Sequence, residues 1–418
     1  MKSDQLAVLG GKPIFTKPVG GFAWPPTNKT TERALVQLYR SQNWSWNGPW
    51  EQKFSRDFSQ LHTVRHTWLM ANGTVTLEAA LHALGVGPGD EVIVPALTWL
   101  ATAMAVIYVG AKPVFVDIEA DTLCLDVAAA AAAITSRTKA IIPVHLYGGM
   151  ADMDRVLKLA RQRGFKVIED CAHAQGGLWN GQGLGSLGDI GSFSFQQSKT
   201  LSCGEGGCVT TNDDRLAERL FRFKHIGYDL NAKQGNAADA PPAGLTCHNY
   251  RGTEFQAAVL QGQLGGVPAL TERRNRNADF LTRELEKIPG IKIQARGRKA
   301  TPGRQSYYAF MAILNRAQWG GANHHQVLRA LQVEGVPACP TYGSVYRHPL
   351  WNMPPATYRI HGDYRDQRGS GCRVSEEIGS ASVVGFLHPY LDRPRRDLAK
   401  FCAAFAKVQR HAAQLSQL

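Results

Sequence analysis

From Thr67 onward, short apolar runs rich in β-branched residues alternate with segments of helical periodicity, and this alternation leaves few architectures open. Repeats of strand, helix and strand return the chain to the same sheet edge, which gives a mostly parallel sheet covered by helices. The spacing predicts strands over 68–71, 91–94, 113–116, 140–144 and 166–168, and helices over 75–84, 99–109, 127–134 and 152–163. Two more strands are expected at 190–195 and 208–211. Residues 228–245 are polar and rich in Ala, Gly, Asn and Pro, the composition of a long, functional loop. Helices at 254–264 and 269–288 follow, then strands near 307–314, a helix at 325–334 and a C-terminal helix at 395–415. The change of pattern near the helix at 269–288 divides the chain into an N-terminal arm (1–30), a large domain (31–275) and a small domain (276–418).

With 418 residues, 44% of them hydrophobic, the chain can bury two unequal cores. A formal charge of +13 would suit a polyanion, but Lys and Arg are scattered, with clusters no denser than Arg273-Arg274-Asn275-Arg276. A solvated basic surface is therefore expected, with no nucleic-acid partner. The eight cysteines form no Cys-x-x-Cys pair, and the segment from Met1 to Gly11 lacks the apolar core of a signal peptide. Reduced thiols in the cytoplasm fit that pattern. Residues 92–111 carry no charge and are long enough to span a bilayer. Pro95 and Gly110 divide them into strand, helix and strand, so no membrane association is expected. His62 and His66 are four apart but lack the glutamate of His-Glu-x-x-His, and His324-His325 begin a helix. Both pairs are read as exposed, and no metal site is expected.

Three places carry chemistry. At Asn72-Gly73-Thr74 a strand gives way to a helix, whose unpaired N–H groups and positive dipole end make a cradle for phosphate. At Glu169-Asp170 a carboxylate lies just past a buried strand, at the sheet edge where open α/β folds bind ligands. An ionised Asp there can hold a pyridine nitrogen protonated. At Ser198-Lys199, between the strand Phe193-Ser194-Phe195 and the turn Gly204-Glu205-Gly206-Gly207, burial would lower the lysine pKa and favour a Schiff base.

In this order, and with Pro95-Ala96-Leu97-Thr98-Trp99, Pro143-Val144-His145-Leu146-Tyr147-Gly148 and Asn249-Tyr250-Arg251, these motifs resemble the DegT/DnrJ/EryC1/StrS aminotransferases over most of the chain. The resemblance implies an α/β chain of fold type I, the aspartate-aminotransferase fold, with a large mixed, mostly parallel sheet domain and a smaller α+β C-terminal domain. It implies pyridoxal 5'-phosphate as cofactor. Lys199 would carry that cofactor and move the proton, Asp170 would pair with the pyridine nitrogen, and Trp99 would stack on the ring. Gly73, Thr74 and Ser194 would hold the phosphate. Asn249 would complete that site from the neighbouring subunit of a homodimer. His173 would hydrogen-bond the phenolic oxygen, where many relatives have Gln.

Sugar dehydratases on the same fold replace the lysine by histidine, so Lys199 favours amino transfer. Aminohydroxybenzoate synthases keep the lysine and stay open as an alternative. The segments from Leu6 to Pro13 and from Tyr342 to Trp351 resemble the aminocyclitol branch. The acceptor expected is a keto-cyclitol such as an inosose, ahead of a nucleotide-linked ketosugar, with glutamine or glutamate as donor. Tyr342 and Tyr346 are the candidates to bind its ring hydroxyls.

Overall fold

A computed structural model describes residues 5–17, 19, 24–230, 232, 241–297, 303–352, 355–358, 371–379 and 381–418. Parts of the expected N-terminal arm and half of the long polar loop lie outside them. Among the described residues there are thirteen strands: β1 (His66–Met70), β2 (Glu91–Pro95), β3 (Lys112–Val116), β4 (Thr138–Ile141), β5 (Lys166–Asp170), β6 (Leu178–Trp179), β7 (Gln182–Gly183), β8 (Ile190–Ser194), β9 (Gly207–Thr211), β10 (Ile291–Ile293), β11 (Ala309–Leu314), β12 (Cys339–Pro340) and β13 (Val383–Leu387). The α-helices are α1 (Lys29–Ser41), α2 (Pro49–His62), α3 (Gly73–Ala83), α4 (Leu100–Tyr108), α5 (Val127–Ala132), α6 (Met153–Arg163), α7 (Asp214–Lys224), α8 (Glu254–Leu264), α9 (Val267–Leu285), α10 (His324–Val333) and α11 (Arg395–Arg410).

The first sheet has seven strands in the order β1-β9-β8-β5-β4-β2-β3. Strands β8, β5, β4, β2 and β3 run parallel, while β9 is antiparallel to both its neighbours. Every residue of β2 and β8 is buried, as expected of strands covered on both faces. Because side chains alternate along a strand, Val167 joins the core on one face and Ile168 the core on the other. A second sheet, β10-β11-β13-β12, is antiparallel and packs with α9, α10 and α11 around Phe310, Phe386 and Phe401.

Several boundaries follow from local chemistry. Helix α3 starts where the Asn72 side chain accepts the N–H groups of Thr74 and Val75. Helix α8 opens on a capping box of Thr253 and Gln256. The uncharged stretch 92–111 is divided between β2 and the short α4, and among the described residues no helix is long and apolar enough to cross a membrane.

Two histidine expectations are corrected. His62 is fully buried: its Nδ1 lies 2.8 Å from the Leu184 carbonyl and its Nε2 accepts the Gly176 N–H. It continues the apolar face of α2 through Phe54 and Phe58, with its ring stacked 4.5 Å from Phe58. His66, in contrast, stays half-buried and reaches Asp214 at 2.7 Å. His324 is likewise buried on the stripe of Val327, Leu328 and Leu331, whereas His325 is exposed.

Candidate active site

Asp170 ends β5 on the same face as Ile168, turned toward α3 and α4. Its Oδ2 accepts the Thr102 hydroxyl at 2.8 Å and its Oδ1 accepts the Ala172 N–H at 3.1 Å. The Thr98 hydroxyl, four residues before Thr102 and just ahead of α4, lies 2.9 Å from it and extends the network. Burial pushes the Asp170 carboxyl up, while the Thr102 hydrogen bond and the Lys199 charge pull it back. Glu169 points to the opposite face, where it accepts N–H groups from Gly185, Leu187 and Gly188. The turn that leads into β8 is thereby fixed to β5.

Lys199 sits in the loop between β8 and β9. Backbone bonds from Phe195 to Gly206 and from Gln197 to Gly204 close this loop, with Gly204 at φ +89°, a conformation that favours glycine. The Lys199 carbonyl accepts the Trp24 indole N–H, and His388 Nε2 lies 2.9 Å from the Ser198 carbonyl. The side chain is buried, with Nζ 4.7 Å from the centre of the Tyr308 ring. Burial lowers its pKa to about 8, against the pull of Asp170.

Both groups face a cavity of about 910 Å³ between the first sheet and residues of the second-sheet region. Gly73, Thr74, Trp99, His173, Ser194 and Tyr342 line it as well. A Cβ on Gly73 would come within 2.6 Å of Ser194 Cβ, so only glycine lets α3 start this close to β8. The helix cap is Asn72, and it occupies two of the N–H groups expected to be open there. The Thr74 hydroxyl makes no hydrogen bond among the described residues, so the polar groups facing the cavity at this corner include hydroxyls.

An aromatic wall closes the opposite side. The His173 ring stacks on Tyr308 at 3.8 Å and 7°, and its Nδ1 accepts the Tyr147 N–H at 3.2 Å. Burial, with the charges of Lys199 and His388, holds His173 well below the usual imidazole range. A neutral ring with Nδ1 accepting carries its proton on Nε2. The Tyr147 hydroxyl accepts the Tyr342 N–H at 2.7 Å, and Tyr342 lies 5.3 Å from Trp99, which is 58% exposed. A smaller cavity of about 290 Å³ adjoins across Thr98, Trp99 and Tyr342.

Two expected site residues lie elsewhere in this chain. Tyr346 does not line either cavity: its ring packs 5.6 Å from Phe115 and its hydroxyl donates to Glu376 at 2.6 Å. Asn249 is exposed, paired through its backbone with His225, while its neighbour Tyr250 lines the cavity. Sequence reasoning missed Tyr308 and the role of Thr102. The four-residue spacing of Thr98 and Thr102 was a usable signal for the latter, whereas nothing local marks Tyr308.

The sequence profile of the DegT/DnrJ/EryC1/StrS aminotransferase family matches residues 26–362. The chain is 37% identical to the L-glutamine:2-deoxy-scyllo-inosose aminotransferase of Streptomyces kanamyceticus, covering 100% of this chain and 99% of that protein. It is 35% identical to the putative L-glutamine:3-amino-2,3-dideoxy-scyllo-inosose aminotransferase of Streptoalloteichus tenebrarius, covering 98% and 99%. Among solved structures it is similar to 3-amino-5-hydroxybenzoic acid synthase, with 31% identity, a TM-score of 0.83 and coverage of 94% and 100%. The fold is thus the fold type I architecture expected from the sequence. With a profile match over most of its length and relatives alike from end to end, the chain belongs to the DegT/DnrJ/EryC1/StrS aminotransferase family and is an aminotransferase.

Proposed function

We propose that this aminotransferase works with pyridoxal 5'-phosphate and moves an amino group from glutamine or glutamate to a keto-cyclitol of the scyllo-inosose type. The observation that carries the reading is the buried lysine and buried aspartate facing one cavity. When bound, the cofactor supplies an aldehyde for an amine and a ring that withdraws electrons from the donor carbon.

The residues present fit that group. The hydroxyls of Thr74 and Ser194, beside the start of α3 at Gly73, suit a phosphate. Asp170, kept in place by Thr102 and the Ala172 N–H, provides an anion for a protonated ring nitrogen. Neutral His173 offers an Nε2–H to a phenolic oxygen, and Trp99 offers a ring face. Lys199, with its lowered pKa, serves as the attaching amine and, once released, as the base and acid that moves the substrate proton at Nζ.

The lowered pKa gives a pH expectation. Only neutral amine attacks an aldehyde, so at pH 7 about one Lys199 in ten is reactive and at pH 9 about nine in ten. The rate at which cofactor-free protein takes up pyridoxal phosphate should rise through pH 8 and level off above it, read as absorbance in rapid mixing. A rate that climbs only near the ordinary lysine range would count against the burial argument.

The acceptor rests on the names of the inosose relatives and on Tyr308 and Tyr342, which line the cavity. Loss of a ring hydroxyl that pairs with such a buried group costs roughly 1–3 kcal/mol, or about 5- to 150-fold in kcat/KM. Steady-state kinetics with scyllo-inosose and with a nucleotide-linked 4-ketosugar decide the point. Turnover of the inosose is expected to dominate, and efficient turnover of the ketosugar alone would overturn the assignment. The likeness to the hydroxybenzoate synthase keeps a second reading, which an aromatic product in the same assay would favour.

The same proposal takes the working form as a homodimer in which Asn249, exposed in one subunit, completes the phosphate site of the other. It also takes residues 1–30, 31–275 and 276–418 as arm, large domain and small domain. The first sheet, within 66–211, and the second, within 291–387, fall on either side of that division and support it.

A further inference from the structure

We propose that Glu78, His82 and His248 form a binding site for a zinc-like divalent ion beside the active cavity. Glu78 and His82 are four apart on α3, which places them on one face of the helix. His248 meets them from the segment that follows the long loop, and the ligating atoms of all three lie within 4.8 Å of one another. A tetrahedral zinc site with bonds of about 2.0–2.2 Å spaces its ligand atoms roughly 3.3–3.5 Å apart, so small side-chain rotations complete the triad.

Both histidine rings also pack beside Phe223. Among the described residues, none of these side chains makes a hydrogen bond to another protein group, although Glu78 is buried and both histidines are half-buried. A carboxylate in such ground is costly unless it is paired or coordinates a metal. Burial pushes the Glu78 carboxyl up, as it does for a group left without a counter-charge. Burial, and secondarily His248, lowers His82 to about 4, and burial lowers His248 also. An imidazole in its neutral form presents a lone pair that can ligate a metal.

Two imidazoles and one carboxylate suit zinc, cobalt or nickel, while magnesium and calcium prefer sets made of oxygen. Three protein ligands leave at least one position for water. The site also has a place in the architecture. Glu78 and Tyr250 both line the active cavity, and the His248 ring stacks on Tyr250 at 4.9 Å and 10°. A bound ion would tie α3, whose first turn meets the cavity, to the segment that presents Tyr250 to it. This inference does not depend on the cofactor or the acceptor assigned above.

The test uses the holoenzyme, stripped of metal with a chelator and titrated with Zn²⁺ alone by calorimetry, then with Co²⁺ for its visible bands. The wild-type protein should take up one ion per chain, and zinc should raise its Tm. His82→Gln and His248→Gln, each first confirmed to unfold cooperatively without metal, should weaken binding by about 100-fold or more and lose the Tm response. No saturable uptake by the wild type, or uptake that survives in both variants, would overturn the proposal. Should one variant fail to fold, the other and Glu78→Gln give the same reading.

Discussion

Replacing Lys199 with Ala should cut kcat by about 10⁴-fold or more, because one side chain both attaches the cofactor and moves the substrate proton. The expectation rests on burial, on the lowered pKa and on a position at the cavity wall near Asp170 and Tyr308. The loop that holds residue 199 is closed by backbone hydrogen bonds, so an alanine there leaves its shape intact. The variant should unfold at a temperature close to that of the wild type and should lose the absorbance of attached cofactor. Amino transfer within about tenfold of the wild-type rate would assign the lysine elsewhere.

Asp170→Asn should keep the cofactor bound and lower kcat by about 10²- to 10³-fold, the scale of removing one preorganised charge from a buried site. Asparagine preserves the shape of the carboxylate, and its carbonyl can still accept from Thr102 or from the Ala172 N–H. What it removes is the negative charge that keeps a ring nitrogen protonated. The measurement is single-turnover transfer from glutamine under saturating cofactor, which separates the chemical step from weaker binding. An unchanged rate would mean that the carboxylate serves only to cap the turn after β5.

Much of the first sheet could be read from the sequence because its strands hold short apolar runs such as Val92-Ile93-Val94 and Val167-Ile168, and buried parallel strands are the easiest to see. Asp170 and Lys199 were legible for a related reason, since Asp170 is the polar residue that ends β5 and Lys199 lies in the loop that follows β8. Strand β4 stops at Ile141, short of the expected 144; Pro143 has no N–H to donate to a ladder. His62 and His324 were misread because a histidine counts as polar in a pattern, although each falls in register with an apolar stripe on its helix.

Of the aromatic wall, Tyr342 and His173 were legible in the sequence, whereas Tyr308 and the assembly of the wall were not. Tyr147, Tyr308 and Tyr342 come from distant parts of the chain, and only the packing of the second-sheet region against the first brings them to His173. Tyr346 shares a motif with Tyr342, yet three intervening residues turn its ring into the core beside Phe115 and Trp351. The segment after Leu6 has a packing role that its sequence did not disclose. The buried carboxylate of Glu334 accepts the N–H groups of Ala7 and Ile14 and pairs with Lys407 at 2.9 Å, which ties this segment to α10 and α11.

The central claim is that Lys199 holds the cofactor, and borohydride reduction of the wild-type holoenzyme followed by peptide mass mapping tests it most directly. Reduction should fix one pyridoxyl phosphate per chain on the peptide that contains Lys199, and prior addition of glutamine should diminish that label. A label on any other lysine, or none at all in protein that transfers amino groups, would contradict the account.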